Sequence, residues 1–130
     1  MRVLQPADWV WPKGYANGIE ARGRMIFVAG QVGWDKDQRF QVKDFAGQFE
    51  QTLINVLAVL HEATAGPEHI VRMTWFITDK HAYLGSISKI GDIYRRVMGK
   101  NFPAMSVVQV VALIEDDALI EIEATAVVAD

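Results

Sequence analysis

A strand that is apolar on both faces has to be covered twice, and residues 106–114, SVVQVVALI, read as such a strand. Successive side chains of a strand point to opposite sides. Val107, Gln109, Val111 and Leu113 therefore take one side, and Val108, Val110, Ala112 and Ile114 take the other. Only two amphipathic helices are legible elsewhere, and two helices cannot wrap both sides of a sheet of about six strands. A lone chain would then expose an unusually large apolar patch. A second copy of the chain is the simplest cover, so the sequence points to a homo-oligomer that uses the free face of its sheet as an interface.

The remaining elements follow from periodicity and punctuation. MRVLQP forms a short strand ended by Pro6, and Pro12 and Gly14 break the run after Trp9 and Trp11. ANGIEARGRMIFVAGQVGW reads as two strands with a reversal near Arg22-Gly23, the second running from Met25 to Ala29. From Asp44 to about Thr64, residues Phe45, Phe49, Leu53, Val56, Leu57 and Leu60 recur at helical steps, with Asp44 as N-cap and AGP at 65–67 as the stop. HIVRMTWFITD is β-branched and aromatic, hence a strand. A second helix, capped by Asp79 and ended by Gly99, buries Tyr83, Ile87, Ile90, Tyr94 and Val97. ALIEIEATAVV is the last strand. The order is β-β-β-α-β-α-β-β, an α+β class with both helices on one face of a six-stranded, mostly antiparallel sheet. Residues 1–130 read as a single domain without repeats or linkers.

Composition narrows the function. The chain is 51% hydrophobic and 22% charged, with a net charge of −3, which leaves no basic footprint for nucleic acid or an anionic membrane. No stretch of about 18 apolar residues is present for a membrane span, and the N-terminus lacks a signal peptide's apolar core. Zero cysteines exclude disulfides, thiolate metal ligands and thiol nucleophiles. A soluble cytoplasmic protein is the expectation.

Few residues carry chemistry. Glu121 and Glu123 share one side of the last strand, about 7 Å apart, and such a pair could supply a general base or hold a water. Two solvated carboxylates at a rim are the commoner meaning of that spacing. His61, His69 and His81 have no metal-ligand spacing, so no metal and no cofactor are expected. Ser86, Ser88 and Ser106 stand in no Gly-x-Ser-x-Gly setting. The aromatic residues lack interleaved Lys or Arg, which speaks against base stacking.

Taken in order, GYANGIEARGRMIFVAGQVGWD, QTLINVLAVLHEA, IVRMTWFITD, FPAMSVVQV and IEIEATAVV resemble the Rid (reactive intermediate deaminase) family, also called YjgF-type, over nearly the whole chain. The more specific parts are VAGQVG, the helix carrying Asn55, FPA and EIEA. The resemblance implies a chorismate-mutase-like fold, a homotrimer whose sheets form an inner barrel, and three small-molecule clefts between subunits. In the deaminating branch an Arg after Pro-Ala clamps the carboxylate of an imino acid. A backbone carbonyl two residues later and the first Glu of Glu-Ile-Glu-Ala position the attacking water. Carried over by the resemblance, the water-holding residue is Glu121 and the carbonyl is that of Val107. Tyr15 matches an aromatic lid and Gly30 the glycine after the second long strand. Phe102 and Ser106 fall beside them as ligand-binding positions.

The departures weigh more than the matches. The clamp position is Met105, the family's Ser before the glycine is Ala29, and an Asn bordering the pocket aligns with Gly91. An Arg–carboxylate pair is charge-assisted and usually bidentate. Met supplies neither charge nor donors, and hydrogen bonds to charged groups contribute roughly 1.5–3 kcal/mol each. Ordinary 2-imino acid deamination is therefore expected to be absent or very weak. Arg24, Lys13, Lys100 and Arg72 are the candidate replacement cations, although ordinary surface charges is the simpler reading of all four.

Three functions are compatible with these residues. One is hydrolysis of an imine, enamine or related metabolite that lacks a free α-carboxylate or presents it differently, in a pocket of Phe102, Met105, Val107 and Trp34 with water on Glu121. Another is a non-catalytic trimeric module that binds an apolar or aromatic metabolite, or a protein partner. The weakest is the endoribonuclease or translation-inhibitor activity attached to parts of the family, which an acidic chain without a basic groove disfavours.

Overall fold

The computed structural model describes all 130 residues. Its elements are β1 (Arg2–Leu4), β2 (Gly18–Glu20), β3 (Arg24–Val32), α1 (Phe45–Glu62), β4 (Ile70–Ile77), α2 (Lys80–Gly85), α3 (Ile87–Met98), β5 (Ala104–Gln109) and β6 (Ile120–Val128). A single 3-10 turn, Pro67–His69, leads into β4.

Helix α1 begins where the sequence places it. The Asp44 carboxylate accepts the Gly47 N–H at 3.1 Å, satisfying one of the unpaired amides of the first turn. Phe49, Leu53, Val56 and Leu60 are completely buried along one stripe. The helix stops at Glu62, two residues before the expected end, and Thr64 follows with a positive φ of 54°. The Asp79 carboxylate likewise caps α2, accepting the His81 and Ala82 N–H groups. The second helix of the sequence reading is in fact two. It breaks between α2 and α3 at Ser86, directly after Gly85, a pair that favours a kink over continuous helix. Gly99 ends α3 with φ of 67°, a left-handed conformation that glycine adopts without a Cβ penalty.

The strands form two sheets rather than one of six. β1 and β2 pair with each other as a short antiparallel ribbon, and the main sheet has the order β3-β6-β4-β5. β4 and β5 are parallel, because α2 and α3 carry the chain back to the same end before β5 begins. Ala16 hydrogen-bonds the N-terminal segment to the edge of the main sheet, through a bridge to Ala104 and an N–H donated to the Pro103 carbonyl at 3.0 Å.

The strand read over 106–114 is shorter and begins earlier, at 104–109. Its partner β4 ends at Ile77, where Asp79 starts the cap of α2, and the last ladder contact is Val110 N–H to the Ile77 carbonyl at 2.8 Å. Beyond that point no strand is available for pairing. Residues 111–114 leave the sheet, and Val111 and Ile114 are fully exposed.

The helices cover one face of the main sheet, as expected. Met73, Trp75 and Ile77 of β4 and Ile120, Ile122, Ala124 and Ala126 of β6 are buried with the α1 stripe and with Ile90, Tyr94 and Met98 of α3. Gln48 is 1% exposed inside this core, and its side chain makes three hydrogen bonds. Its amide donates to the carbonyls of Val42 and Asp117, and its Oε1 accepts the Leu119 N–H at 2.8 Å, fastening α1 to the start of β6. The opposite face is bare. Phe27 is 71% exposed and Met25 58% on β3, and Val108 on β5 is exposed as well.

Candidate functional site

The sequence-derived site residues fall into two groups on opposite faces of the main sheet. The first group opens on the helix side, at the β5 edge. A cavity of about 540 Å³ there is lined by Tyr15, Gly91, Phe102, Met105 and Val107, all five of which the sequence assigns to the ligand. Residues side by side on parallel strands face the same way, and Met105 lies beside Met73 and Val107 beside Trp75, both of them core residues. Phe102 stacks on Tyr94 with ring centroids 5.5 Å apart, and Tyr83 and Trp75 complete the aromatic wall. Burial holds the Tyr83 and Tyr94 hydroxyls above the ordinary phenol range. Both therefore stay protonated at neutral pH and are poor general bases. Tyr94 spends its proton on the Asn101 carbonyl.

The second group lies on the bare side. β3 and β6 pair regularly up to Val28 opposite Ala124 and resume at Gln31 opposite Ile122, so Ala29 and Gly30 form a β-bulge with one residue more than the partner strand. The bulge brings the backbone at Gly30 against Glu121. A Cβ placed on Gly30 would come within 2.8 Å of the Glu121 carboxylate, so glycine is the residue that lets the carboxylate sit there. Glu121 stands opposite Phe76 in the β4–β6 ladder and opposite Val32 in the β3–β6 ladder. It is half-buried, while Glu123 is exposed opposite Thr74.

Met105 and Glu121 therefore do not meet within one chain. The four-stranded sheet lies between them, because alternation along β5 and β6 sends them to opposite sides. Ser106, read as a ligand position next to Met105, belongs to the bare side by the same alternation and lies beside Thr74. Trp34 is also outside the cavity. Its carbonyl and that of Val32 accept both Asn55 amide hydrogens, at 2.7 and 2.9 Å, and its ring packs on Phe40.

The candidate cations separate clearly. Arg24 donates to the Ala63 carbonyl at 3.0 Å, Arg72 sits in a shallow hollow on the bare side with Phe27 and Glu123, and Lys100 lines a separate hollow near Trp11. Lys13 does line the cavity, together with a residue the sequence reading missed, Arg95. The overlooked signal is helical spacing. Arg95 follows Gly91 by four residues and so lies over it on the α3 surface. No three or more His, Asp or Glu side chains gather where they could hold a metal ion, and no helix is long and apolar enough to cross a membrane.

Known proteins match the chain along almost its whole length. Residues 11–128 match the family described as endoribonuclease L-PSP. The RutC family protein UK114 of Drosophila melanogaster is 32% identical over 126 residues, covering 96% of this chain and 88% of that protein. The 2-iminobutanoate/2-iminopropanoate deaminase of Salmonella typhimurium is 31% identical over 113 residues, covering 87% and 86%. Among solved structures, the Rid-family protein YyfB of Yersinia pestis, described as of unknown function, superposes with a TM-score of 0.85 at 31% identity over 98% of both chains. The fold, the motif order and these relatives agree, and the chain belongs to the Rid/YjgF family.

Proposed function

We propose that three copies of the chain associate through the bare faces of their sheets, so that Glu121 and the β3 bulge of one copy complete the Met105 cavity of the next. Each such cleft hydrolyses a small imine or enamine that does not depend on a short α-carboxylate for its grip. One observation carries this reading. The positions that the resemblance assigns to the site fall into two groups, with Met105, Ala29 and Gly91 replacing polar residues, and a four-stranded sheet divides the groups within a single chain. The exposed Met25, Phe27 and Val108 supply an apolar surface for the association.

The chemistry requires little. Water attacks the imine carbon while the Glu121 carboxylate takes its proton and the Val107 carbonyl orients it. The proton passes to nitrogen, the C–N bond of the resulting carbinolamine breaks, and ammonia and a carbonyl compound leave. An apolar wall of Met105, Val107, Phe102 and Trp75 excludes competing water and favours an apolar substrate. A relative is named for deaminating 2-iminobutanoate and 2-iminopropanoate. This chain has Met105 at the position where the resemblance expects the clamp, and those substrates should therefore be poor ones.

The test is ammonia release from imines generated in solution. Turnover of neutral or bulky imines, with little or none of 2-iminopropanoate, is the expected pattern. Inertness toward all of them by an intact trimer would favour instead a non-catalytic ligand-binding role, which the apolar replacements Ala29, Gly91 and Met105 support. Rapid turnover of 2-iminopropanoate would contradict the reading of Met105. Gly30→Val provides a geometric check. Its side chain would push against the flexible end of Glu121 rather than against backbone, so the fold should persist while the carboxylate is displaced. Turnover should fall about tenfold or more, since small misplacements of reacting groups are costly. An unchanged rate would remove Glu121 from the water-holding role.

A further inference from the structure

We propose that Arg95 is the anion-binding group of the Met105 cavity, and that the ligand is a carboxylate carried at the far end of an apolar, ring-sized body. This rests on reading the cavity as the ligand cleft, and not on hydrolysis occurring there.

Four observations converge on it. The charged residues lining the cavity are Lys13 and Arg95, both cations, with no carboxylate among the lining residues. Gly91 clears the space for the guanidinium. A bare Cβ there would already stand 3.5 Å from Arg95 Nη1, and a longer side chain would compete for the volume the guanidinium occupies. The floor is apolar, built from Trp75, Met105 and Val107. Finally, Arg95 is not locked elsewhere. It pairs with Asp92 on the same helix, and both side chains are largely exposed, at 64% and 71%. Exposed pairs of this kind are weak and exchange readily for a better partner.

The arrangement also selects for ligand shape. The cation stands on α3, whereas the floor is built from β4 and β5. A two- or three-carbon acid gripped by Arg95 would leave most of the 540 Å³ cavity empty. A ligand with a ring on Trp75, Met105 and Val107 and its carboxylate at the rim fills the cavity and meets the charge. Loss of the strand clamp at Met105 and gain of space at Gly91 are then two halves of one change, which moves the positive charge from strand to helix.

Calorimetric titration with 3-phenylpropanoate, its neutral amide and pyruvate tests this without any imine present. Wild type should bind the acid about tenfold more tightly than the amide and pyruvate not measurably. Arg95→Gln should reduce the acid to the affinity of the amide and leave the amide unchanged. The variant should keep its mass and melting temperature, because Arg95 is exposed. The Trp75 indole N–H resonance should shift on ligand binding. Equal affinity for acid and amide, a preference that survives Arg95→Gln or vanishes instead with Lys13→Gln, or failure to bind either probe would each overturn the proposal. Absence of ammonia release in the imine assay would leave it standing, and binding of the acid would not by itself establish hydrolysis.

Discussion

Phe27→Glu is expected to reduce the protein from a particle of about 44 kDa, three times 14.6 kDa, to single chains. Phe27 lies on the bare face, 71% exposed in the lone chain, so the substitution removes little packing within the subunit. In the proposed assembly the same ring would be covered. Burying a Phe side chain contributes roughly 1.5–3 kcal/mol, and placing an unpaired carboxylate in the same apolar contact costs several kcal/mol more. Every copy carries the change, so the effect is repeated at each interface. The monomer should retain its helical circular dichroism, because the core on the opposite face is untouched. Light scattering checks the mass. A particle of unchanged size would mean that the bare face is not the interface. Ammonia release should disappear together with the trimer, since Glu121 and the cavity part company.

Glu121→Gln should lower turnover of any imine substrate by about 10²–10⁴-fold, the usual contribution of a positioned general base. The replacement keeps shape and hydrogen-bonding capacity but cannot take a proton from water. Glu121 is half-buried and supports no other element, so stability and oligomeric mass should be unaffected. Steady-state ammonia release measures the effect, and the loss should appear in kcat rather than in KM. A kcat within twofold of wild type would assign the proton transfer to another group.

Much of the fold is legible from short-range pattern. The α1 stripe from Phe45 to Leu60, the Asp44 and Asp79 caps, and the alternation of Ile120, Ile122, Ala124 and Ala126 are local signals, and the structure keeps them. Two of the failures are matters of pairing and one is a break in a helix. Hydrophobicity continues to Ile114, but a strand lasts only as long as its neighbour, and β4 ends at Ile77. The extra residue at Ala29-Gly30 leaves no mark in composition, because a bulge exists only relative to the partner strand. Helix α3 separates from α2 where Gly85 and Ser86 weaken an otherwise continuous apolar stripe.

The candidate site is legible in part as a set of cavity-lining positions, with Trp34 falling outside it, and illegible as an arrangement. Alternation tells which residues of β5 share a side with Met105, and which of β6 share a side with Glu121. Whether those two sides coincide depends on how β5 registers with β4, and β4 with β6, which sequence spacing does not encode. The cations that the sequence offers as replacements, Arg24, Lys13, Lys100 and Arg72, are strand and loop residues. Arg95 required a three-dimensional reading of the helix surface, where a glycine four residues earlier opens the way to the cavity.

The division of the site between chains can be measured without knowing the substrate. The native chain has no cysteine, so a double variant Ala29→Cys/Phe102→Cys carries the only two thiols, one beside each half of the site. Within a chain they lie on opposite sides of the sheet and should not react with each other. Treatment with a short thiol–thiol cross-linker, followed by a denaturing gel, should give a ladder that ends at three linked chains, with neither single variant passing the dimer. Monomer alone, whether unreacted or linked internally, would contradict assembly of the site from neighbouring copies.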